Sequence, residues 1–373
     1  MAMRRPAEVF PPGDFLREEL EERGWTQTDL AEILGRPYRV VNEIIAGKRR
    51  ISPETAKGLA AALGTSPEFW LNLEAAYQLW RVGTDDDNPV ARRARLFTIA
   101  PLKELLRRGW IEASDSIDVL EKRVADFYEV DNLDEEPHFA AHAARKSTSY
   151  QSTTPAQTAW LFRARKLART VQVGRYVRSK LDEAIGKLRL LLHAPQEIRY
   201  VPRVLSDAGV RFVIVEALPG TRIDGACFWL DDSPVVALSL RFDRIDNFWH
   251  TLMHELGHVR NGDGFSLDVD LDARRSEEEP ESERLADQFA VEHLIPQEKL
   301  DNFVADTRPL YSAVRIQTFA KTCHVHPGIV VGQLQHREEI ARANLRKMLI
   351  PVRPVISETA VTDGWGTAIP VHA

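Results

Sequence analysis

Two histidines and a glutamate stand at fixed spacing in the run Phe248-Trp-His-Thr-Leu-Met-His-Glu-Leu-Gly-His-Val-Arg260. Read as an α-helix, this run places His254 and His258 one turn apart on one face, with Glu255 beside them. Two neutral imidazoles at that spacing can reach one zinc ion, which in hydrolytic sites takes three protein ligands and one water. Glu255 would not bind the ion but would take a proton from that water. The pattern predicts metal-assisted hydrolysis with Zn²⁺ as the cofactor.

A third metal ligand must come from elsewhere, and the run from Glu281 to Pro296 offers carboxylates at helical spacing. Glu283 and Asp287 stand one turn apart on one face of this predicted helix. We assign Glu283 as the third ligand. Asp287 is expected to accept the free ring N–H of a ligand histidine and so fix its tautomer. Glu281 is a nearby competitor for the ligand role.

The residues around the first motif predict that its helix is buried, because they form the apolar set Phe248, Trp249, Leu252, Met253 and Leu256. Burying two histidines and a glutamate together without a metal is costly. This favours a metal site over a solvated helix that matches the motif by chance.

The two runs resemble the ImmA/IrrE family of metallopeptidases, and the resemblance covers roughly residues 190 to 340. It rests on His254-Glu-Leu-Gly-His258, Glu283-Arg-Leu-Ala-Asp-Gln-Phe-Ala290 and Leu294-Ile-Pro296. Members of that family resemble thermolysin-type peptidases at the metal site and typically cleave a partner DNA-binding repressor. The resemblance therefore implies a zincin-like, zinc-dependent endopeptidase that acts on a protein substrate.

Strands are predicted before the motif, at Val210–Glu216, Ala226–Leu230 and Pro234–Leu240. An extended peptide can add to a sheet edge beside a metal cleft. Pro234–Leu240 is either that edge or a plain buried strand, and both interpretations stay open. A donor to the oxyanion of the scissile carbonyl is also needed, and the candidates are His326, His336, Tyr311 and Arg337.

The first eighty residues predict five short helices with a helix-turn-helix. Thr26 is expected to cap the second helix, Gly35 to end it, and Ser52 to cap the fourth. A tight turn followed by a helix with outward polar residues is the arrangement that enters the major groove of double-stranded DNA. The alternative is a helical bundle whose charges are simply solvated, since the first helix is acidic.

The third helix is the predicted recognition helix, and its outer side presents Arg36, Tyr38, Arg39, Asn42 and Glu43. Arg39 and Asn42 carry the side chains that pair with guanine and adenine edges. Phosphate contacts, which position a protein without specifying sequence, are assigned to Gln27, Lys48 and Arg49.

A second resemblance supports DNA binding. Thr26-Gln-Thr-Asp-Leu-Ala31, Asn42–Ser52 and Thr55-Ala-Lys-Gly-Leu-Ala60 resemble the XRE-type helix-turn-helix, and the whole run from Pro11 to Trp80 is similar to the HigA antitoxins. This likeness implies an operator as the DNA partner. It also implies a homodimer, because HigA-type proteins usually act as dimers on inverted repeats near their own promoter.

The segment from 145 to 189 is strongly basic and carries Trp160, Phe162 and Tyr176. It is either a nucleic-acid surface or a set of helices with a solvated basic face that packs on the peptidase domain, and the second interpretation is favoured. The net charge of the whole chain is −6, so no global basic field draws it to nucleic acid.

Composition bounds the rest of the prediction. No apolar run approaches the length of a membrane span, and the two cysteines, Cys227 and Cys323, form no disulfide framework. We therefore expect a cytoplasmic protein without a membrane partner. The expected fold is mainly α with a small β-sheet, an α+β class.

We predict four segments: a helix-turn-helix domain at 1–82, a helical connector at 83–192, a metallopeptidase domain at 193–350 and a loose tail at 351–373. The favoured function is a DNA-binding, antitoxin-like regulator that cleaves a protein partner or itself. The alternative is a HigA-type repressor whose C-terminal domain is a non-catalytic sensor or toxin-binding module.

Overall fold

The structure is a computed structural model that describes residues 9–82, 88–133, 137, 139, 153–269 and 280–364. The chain divides into two compact units, Met1–Ala91 and Arg92–Ala373. Arg145 and Lys146 of the basic segment and residues 365–373 of the predicted tail lie outside the described residues. Within the described ranges, no helix combines the length and the apolar character needed to cross a bilayer.

The first unit is helical. Its helices are α1 (Pro12–Arg23), α2 (Gln27–Leu34), α3 (Tyr38–Ile45), α4 (Pro53–Leu63) and α5 (Pro67–Val82). Their apolar faces meet in one core, in which Leu16, Leu30, Leu59 and Trp70 are fully buried. The predicted five-helix arrangement with a helix-turn-helix is confirmed.

Local capping fixes both ends of α2. The Thr26 hydroxyl accepts a hydrogen bond from the Asp29 amide at 3.2 Å, and the Asp29 carboxylate accepts one from the Thr26 amide at 2.7 Å. This reciprocal pair is a capping box, which satisfies two amides that the helix itself leaves unbonded. Gly35 then ends α2 in the left-handed conformation.

From Pro89 onward the chain alternates helices with short strands. The helices are α6 (Pro89–Ile99), α7 (Leu102–Arg107), α8 (Ile117–Tyr128), α9 (Pro155–Thr170), α10 (Arg178–Leu191), α11 (Val201–Asp207), α12 (Ile245–Asn261), α13 (Glu281–Leu294), α14 (Gln297–Thr307), α15 (Ala313–Cys323), α16 (Pro327–His336) and α17 (Arg353–Ile356). Among the described residues, 3₁₀ helices lie at Pro195–Tyr200 and Arg346–Met348.

The strands of the described residues form one mixed sheet. They are β1 (Arg211–Ile214), β2 (Ile223–Leu230), β3 (Ser233–Leu238), β4 (Phe265–Val269) and β5 (Val361–Thr362), in the order β4-β2-β3-β1-β5. β1 runs parallel to β3 and β5, whereas β2 is antiparallel to β3 and β4. Pro234–Leu240 therefore contributes an interior strand, and the interpretation of that run as a sheet edge was wrong. β4 is the edge beside β2.

Helices cover both faces of the sheet. Side chains alternate along each strand, so Cys227 and Val236 pack with α10, α12 and α16, while Ala226 and Val235 pack with α6 to α9. The helices predicted as a connector thus form one of the layers around the sheet. Their basic stretch packs as well: Trp160 and Phe162 are fully buried, and Arg165 and Arg169 pair with Glu129.

The loose tail expected from about Val355 was wrong for the part that the structure describes. Val361 and Thr362 pair with Val213 and Ile214 of β1. Val352, Ile356 and Ala360 are buried at one-turn spacing, a pattern too short to stand out in the sequence.

Candidate metal centre and recognition helix

Helix α12 carries the first motif and is buried along most of its length. It ends at Gly262, which adopts the left-handed conformation, and Trp249, Leu252 and Leu256 anchor it in the core. His254 and His258 are buried as well, and their Nε2 atoms lie 3.1 Å apart. Two ligand nitrogens of a tetrahedral zinc site are about 3.3 Å apart, given zinc–nitrogen bonds of about 2.0–2.1 Å. The spacing therefore suits one shared ion.

Each histidine is oriented by an aspartate on its other ring nitrogen. His254 Nδ1 lies 2.7 Å from Asp287 Oδ1, and His258 Nδ1 lies 2.8 Å from Asp263 Oδ2. When Nδ1–H donates a hydrogen bond to the carboxylate, the neutral ring presents the lone pair of its Nε2 atom to the centre. A proton on one Nε2 atom or a metal ion bound by both can account for their separation of 3.1 Å.

Helix α13 brings Glu283 to the same point. Its carboxylate oxygens lie 3.4 Å from His254 Nε2 and 3.6 Å from His258 Nε2. The close approach of the helices depends on Gly257, where an added Cβ would lie 3.1 Å from the Cα of Ala286. Glu281, the competitor for the ligand role, is exposed and faces Arg284 instead.

A fourth donor, Asp268 of β4, was missed by the sequence reasoning. Its Oδ2 lies 3.1 Å from His254 Nε2, and the donor atoms of His254, His258, Asp268 and Glu283 all lie within 4.8 Å of one another. The signal was the alternation in Phe265-Ser-Leu-Asp-Val269, which predicts a strand with one polar face. Asp263, also missed, directly follows the glycine that ends α12.

Electrostatics at the centre favour positive charge among the four donors. Burial acts to lower the pKa of both imidazoles, but the surrounding carboxylates outweigh it. The pKa of His254 is raised well above its usual value, and that of His258 is raised to about 9. Burial acts to raise the pKa of Glu283, but the two imidazoles lower it to about 2. Nitrogen and carboxylate donors with this charge balance fit a divalent metal ion.

Glu255 lies beside the donors and faces the backbone of β2. It is fully buried, and a Cβ added to Gly225 would lie 2.3 Å from its Oε1. Burial first, and then the neighbouring carboxylate of Asp268, raise the pKa of Glu255 well above its usual value. A carboxyl group of this kind can take a proton from water and deliver it to a leaving group.

A cavity of about 60 Å³ lies along the same helix, one turn before His254. His250 lines it, and the ring centres of His250 and His254 are 6.3 Å apart. Of the oxyanion candidates, His336 and Arg337 also line this cavity. Tyr311 instead donates to Glu339, and His326 accepts from the Gly328 amide at the start of α16. The oxyanion role stays a prediction for all four candidates, because Arg337 also bonds to Asp301 and none of the four metal donors lines this cavity.

In the first unit, α3 presents Tyr38, Arg39 and Asn42 to solvent. The Asn42 side-chain amide donates a hydrogen bond to the side-chain Oε1 of Gln27 at 3.1 Å. This contact joins the start of α2 to α3. Lys48 and Arg49 are exposed just beyond α3, whereas Arg36 is half-buried and lies 3.7 Å from Glu54.

Glu43 partly neutralises this surface. It accepts hydrogen bonds from Arg39 at 2.7 Å and from Arg49 at 3.2 Å. These two hydrogen bonds lower the pKa of Glu43, so the carboxylate is charged at neutral pH. Two of the predicted DNA-contacting arginines are therefore held by one carboxylate in the protein alone.

Known proteins match the two units separately. Residues 207–332 match the Peptidase M78 family, described as an IrrE N-terminal-like domain, and residues 16–70 match a helix-turn-helix family. Antitoxin HigA-1 of Vibrio cholerae is 45% identical over 78 residues, which are 21% of this chain and 70% of that protein. The HTH-type transcriptional regulator YbaQ of Escherichia coli K12 is 35% identical over 108 residues, 29% of this chain and 89% of YbaQ.

Among solved structures, an addiction module antidote protein of the HigA family from Coxiella burnetii shares 42% identity. The match covers 19% of this chain and 78% of that chain, with a TM-score of 0.19. The chain therefore belongs to the helix-turn-helix family of the HigA antitoxins through its first unit, and its second unit carries an IrrE N-terminal-like domain.

Proposed function

We propose that this chain is a DNA-binding regulator that carries a zinc-dependent endopeptidase in residues 193–350. The observation that carries the peptidase half is the convergence of the His254 and His258 Nε2 atoms with Glu283, while Asp287 and Asp263 hold the opposite ring nitrogens. The match to a peptidase family supports the same assignment. In this proposal residues 1–82 bind DNA. Residues 83–192 are the connector and pack on the sheet of the peptidase domain, and residues 351–373 follow that domain as a C-terminal tail.

The mechanism follows from the positions of the side chains. His254, His258 and Glu283 would hold the metal, and a zinc ion bound there supplies Lewis acidity that polarises a peptide carbonyl. Asp287 and Asp263 keep both imidazoles in the tautomer that faces the centre. Glu255 takes the proton from the attacking water and passes it to the leaving nitrogen.

The substrate is a protein, either a partner or this chain itself. Zinc-loaded full-length protein would be incubated with a peptide library made from a bacterial proteome, and new N-termini would be counted by mass spectrometry. Glu255→Gln should keep the metal and abolish cleavage of both the library and the chain itself. Glu281→Gln, which changes an exposed glutamate on α13, is the matched control and should cleave normally. Cleavage that survives Glu255→Gln would disprove the peptidase assignment.

A second candidate function keeps the DNA-binding unit and makes the IrrE-like domain a non-catalytic sensor or toxin-binding module. The observation that favours it is Asp268, because a fourth protein donor is typical of structural metal sites. Under this alternative, wild type binds zinc. Neither wild type nor Glu255→Gln then produces new N-termini in the peptide library.

For the first unit we propose operator binding by a homodimer, with α3 in the major groove. Arg39 and Asn42 read base edges, Arg36 and Tyr38 flank them, and Gln27, Lys48 and Arg49 contact phosphates. The sequence likeness to an antitoxin supports this proposal.

Selection from random duplexes followed by sequencing would identify the operator. Asn42→Ala should then cost about 1–3 kcal/mol at one base pair and relax the preference there. Lys48→Ala is the comparison, since losing a phosphate contact weakens binding to every sequence equally and lowers its salt dependence. Unchanged sequence preference in Asn42→Ala would rule out α3 as the reading helix.

A further inference from the structure

Strand β4 places one acidic side chain at the metal centre and turns its apolar side chains away. Phe265, Leu267 and Val269 pack against the core on the far side of the sheet, while Ser266 and Asp268 face α12 and α13. In the antiparallel pairing, Asp268 stands opposite Gly225 of β2. The backbone pairing of β4 with β2 therefore brings Asp268 to the centre in this arrangement.

The carboxylate of Asp268 is an unusual group for its position. It is completely buried, 3.1 Å from His254 Nε2. The Ser266 hydroxyl lies 3.4 Å from Asp268 Oδ1 and 3.2 Å from Glu283 Oε1, and its single hydrogen can donate to either carboxylate. A cation bound among Asp268, Glu255 and Glu283 would stabilise their carboxyl groups together in a buried site.

The number of protein donors distinguishes a hydrolytic zinc site from a structural one. A hydrolytic zinc site keeps one of four positions for solvent, whereas a structural site fills all four with protein groups. His254, His258 and Glu283 fill three positions, and the Asp268 oxygen lies within the same 4.8 Å cluster. Gly225, which pairs with Asp268, lies against Glu255, the group beside which the solvent of a hydrolytic site has to be.

We propose that Asp268 is the fourth ligand of the centre, so that β4 closes the metal site until Asp268 moves away. This inference rests on the proposed metal binding by His254, His258 and Glu283. It adds that the centre in this arrangement admits no external ligand, and that hydrolysis requires the side chain of Asp268 to leave the ion. The edge position of β4 makes such a movement feasible, because a strand paired on one side only is easier to displace than an interior one.

Cobalt substitution and azide provide the test, since the visible spectrum of bound Co²⁺ reports the number and exchange of its ligands. Full-length wild type, Asp268→Asn and Asp263→Asn would each be loaded with Co²⁺ and titrated with azide. We expect a four-coordinate spectrum that azide does not change in wild type and a clear spectral shift in Asp268→Asn. Zinc affinity would be measured by competition with a chromophoric chelator. It should fall at least about tenfold in Asp268→Asn, because removing a group that only contacts a metal ligand already lowers metal affinity by about 10- to 100-fold.

Asp263→Asn is the matched control, because Asp263 contacts a ligand histidine from the outside. It should lose about 10- to 100-fold in zinc affinity and still ignore azide. An equal azide response in wild type and Asp268→Asn would overturn the assignment of Asp268 while leaving the metal site intact. Wild type that takes up neither Co²⁺ nor Zn²⁺ would overturn the proposed metal centre itself. Should Asp268→Asn not fold, Asp268→Ser gives the same comparison, and an azide shift in wild type alone already refutes closure.

Discussion

Replacing Gly225 by alanine tests the position of Glu255, because the atoms nearest to the added Cβ belong to Glu255 and Thr251. Gly225 lies in β2, and its Cβ would stand 2.3 Å from Glu255 Oε1 and 3.0 Å from Thr251 Cγ2. Ordinary contact begins at 3.4 Å, so the carboxylate has to retreat by about 1.1 Å. Because Glu255 and Thr251 are both buried, neither can swing into solvent.

Two effects of Gly225→Ala follow from that displacement. Overpacking a core typically costs about 1–3 kcal/mol, so the free energy of unfolding in urea should fall by that amount. A catalytic group misplaced by about 1 Å can lose about 100-fold in rate. We therefore expect cleavage of the peptide library to fall by that order, while zinc content stays at the wild-type level.

Gly186→Ala is the matched control, because Gly186 lies in α10 with no neighbouring atom within 4 Å of its Cβ position. It should raise stability by about 0.5–1 kcal/mol, the ordinary gain of alanine over glycine in a helix. If Gly225→Ala unfolds at the same urea concentration as wild type, the close approach of Glu255 to β2 is wrong. Normal cleavage by a destabilised Gly225→Ala protein would instead show that Glu255 does not act from this position.

Three further outcomes are expected. Removing the metal with a chelator should destabilise the second unit, since a metal at 1,000 times its dissociation constant adds about 4 kcal/mol to the free energy of unfolding. Calorimetry with and without chelator measures this, and an unchanged unfolding temperature would contradict a fold that depends on the metal. Glu43→Ala should tighten operator binding, because it frees Arg39 and Arg49 and removes a negative charge facing phosphates; weaker binding in a salt titration contradicts this. Thr26→Ala should cost about 1 kcal/mol of unfolding free energy through loss of the capping box, and Thr28→Ala, one residue into the same helix, is its control.

Much of the first unit could be predicted because its signals are local. Thr26, Gly35 and Ser52 mark helix ends through contacts with residues three or four positions away, so the sequence alone contains both partners. The same reasoning placed His254, Glu255 and His258 on one face of α12. The spacing of Glu283 and Asp287 likewise predicted that both would face the centre, and their roles as ligand and orienting group remain predictions.

The parts that could not be predicted depend on partners far away in the chain. β3 became an interior strand because β1, which precedes β2 in the chain, pairs in parallel on the side of β3 opposite β2. Asp268 carries no local mark of its role. Its strand has a two-residue alternation that also fits any half-buried edge, and only the pairing of β4 with β2 turns its polar face toward His254.

The donors of the centre come from two kinds of element, helices and an edge strand, and we expect them to differ in how firmly they are positioned. His254 and His258 come from one rigid helix and Glu283 from a second helix packed closely on it through Gly257, so these three donors keep their spacing without a metal. Asp268 comes from a strand that pairs on one side only among the described strands, and we expect its distance from the other donors to vary more than theirs. The same four donors can therefore act as a closed structural site or as an open hydrolytic one, and the position of a single strand decides between the two proposed functions.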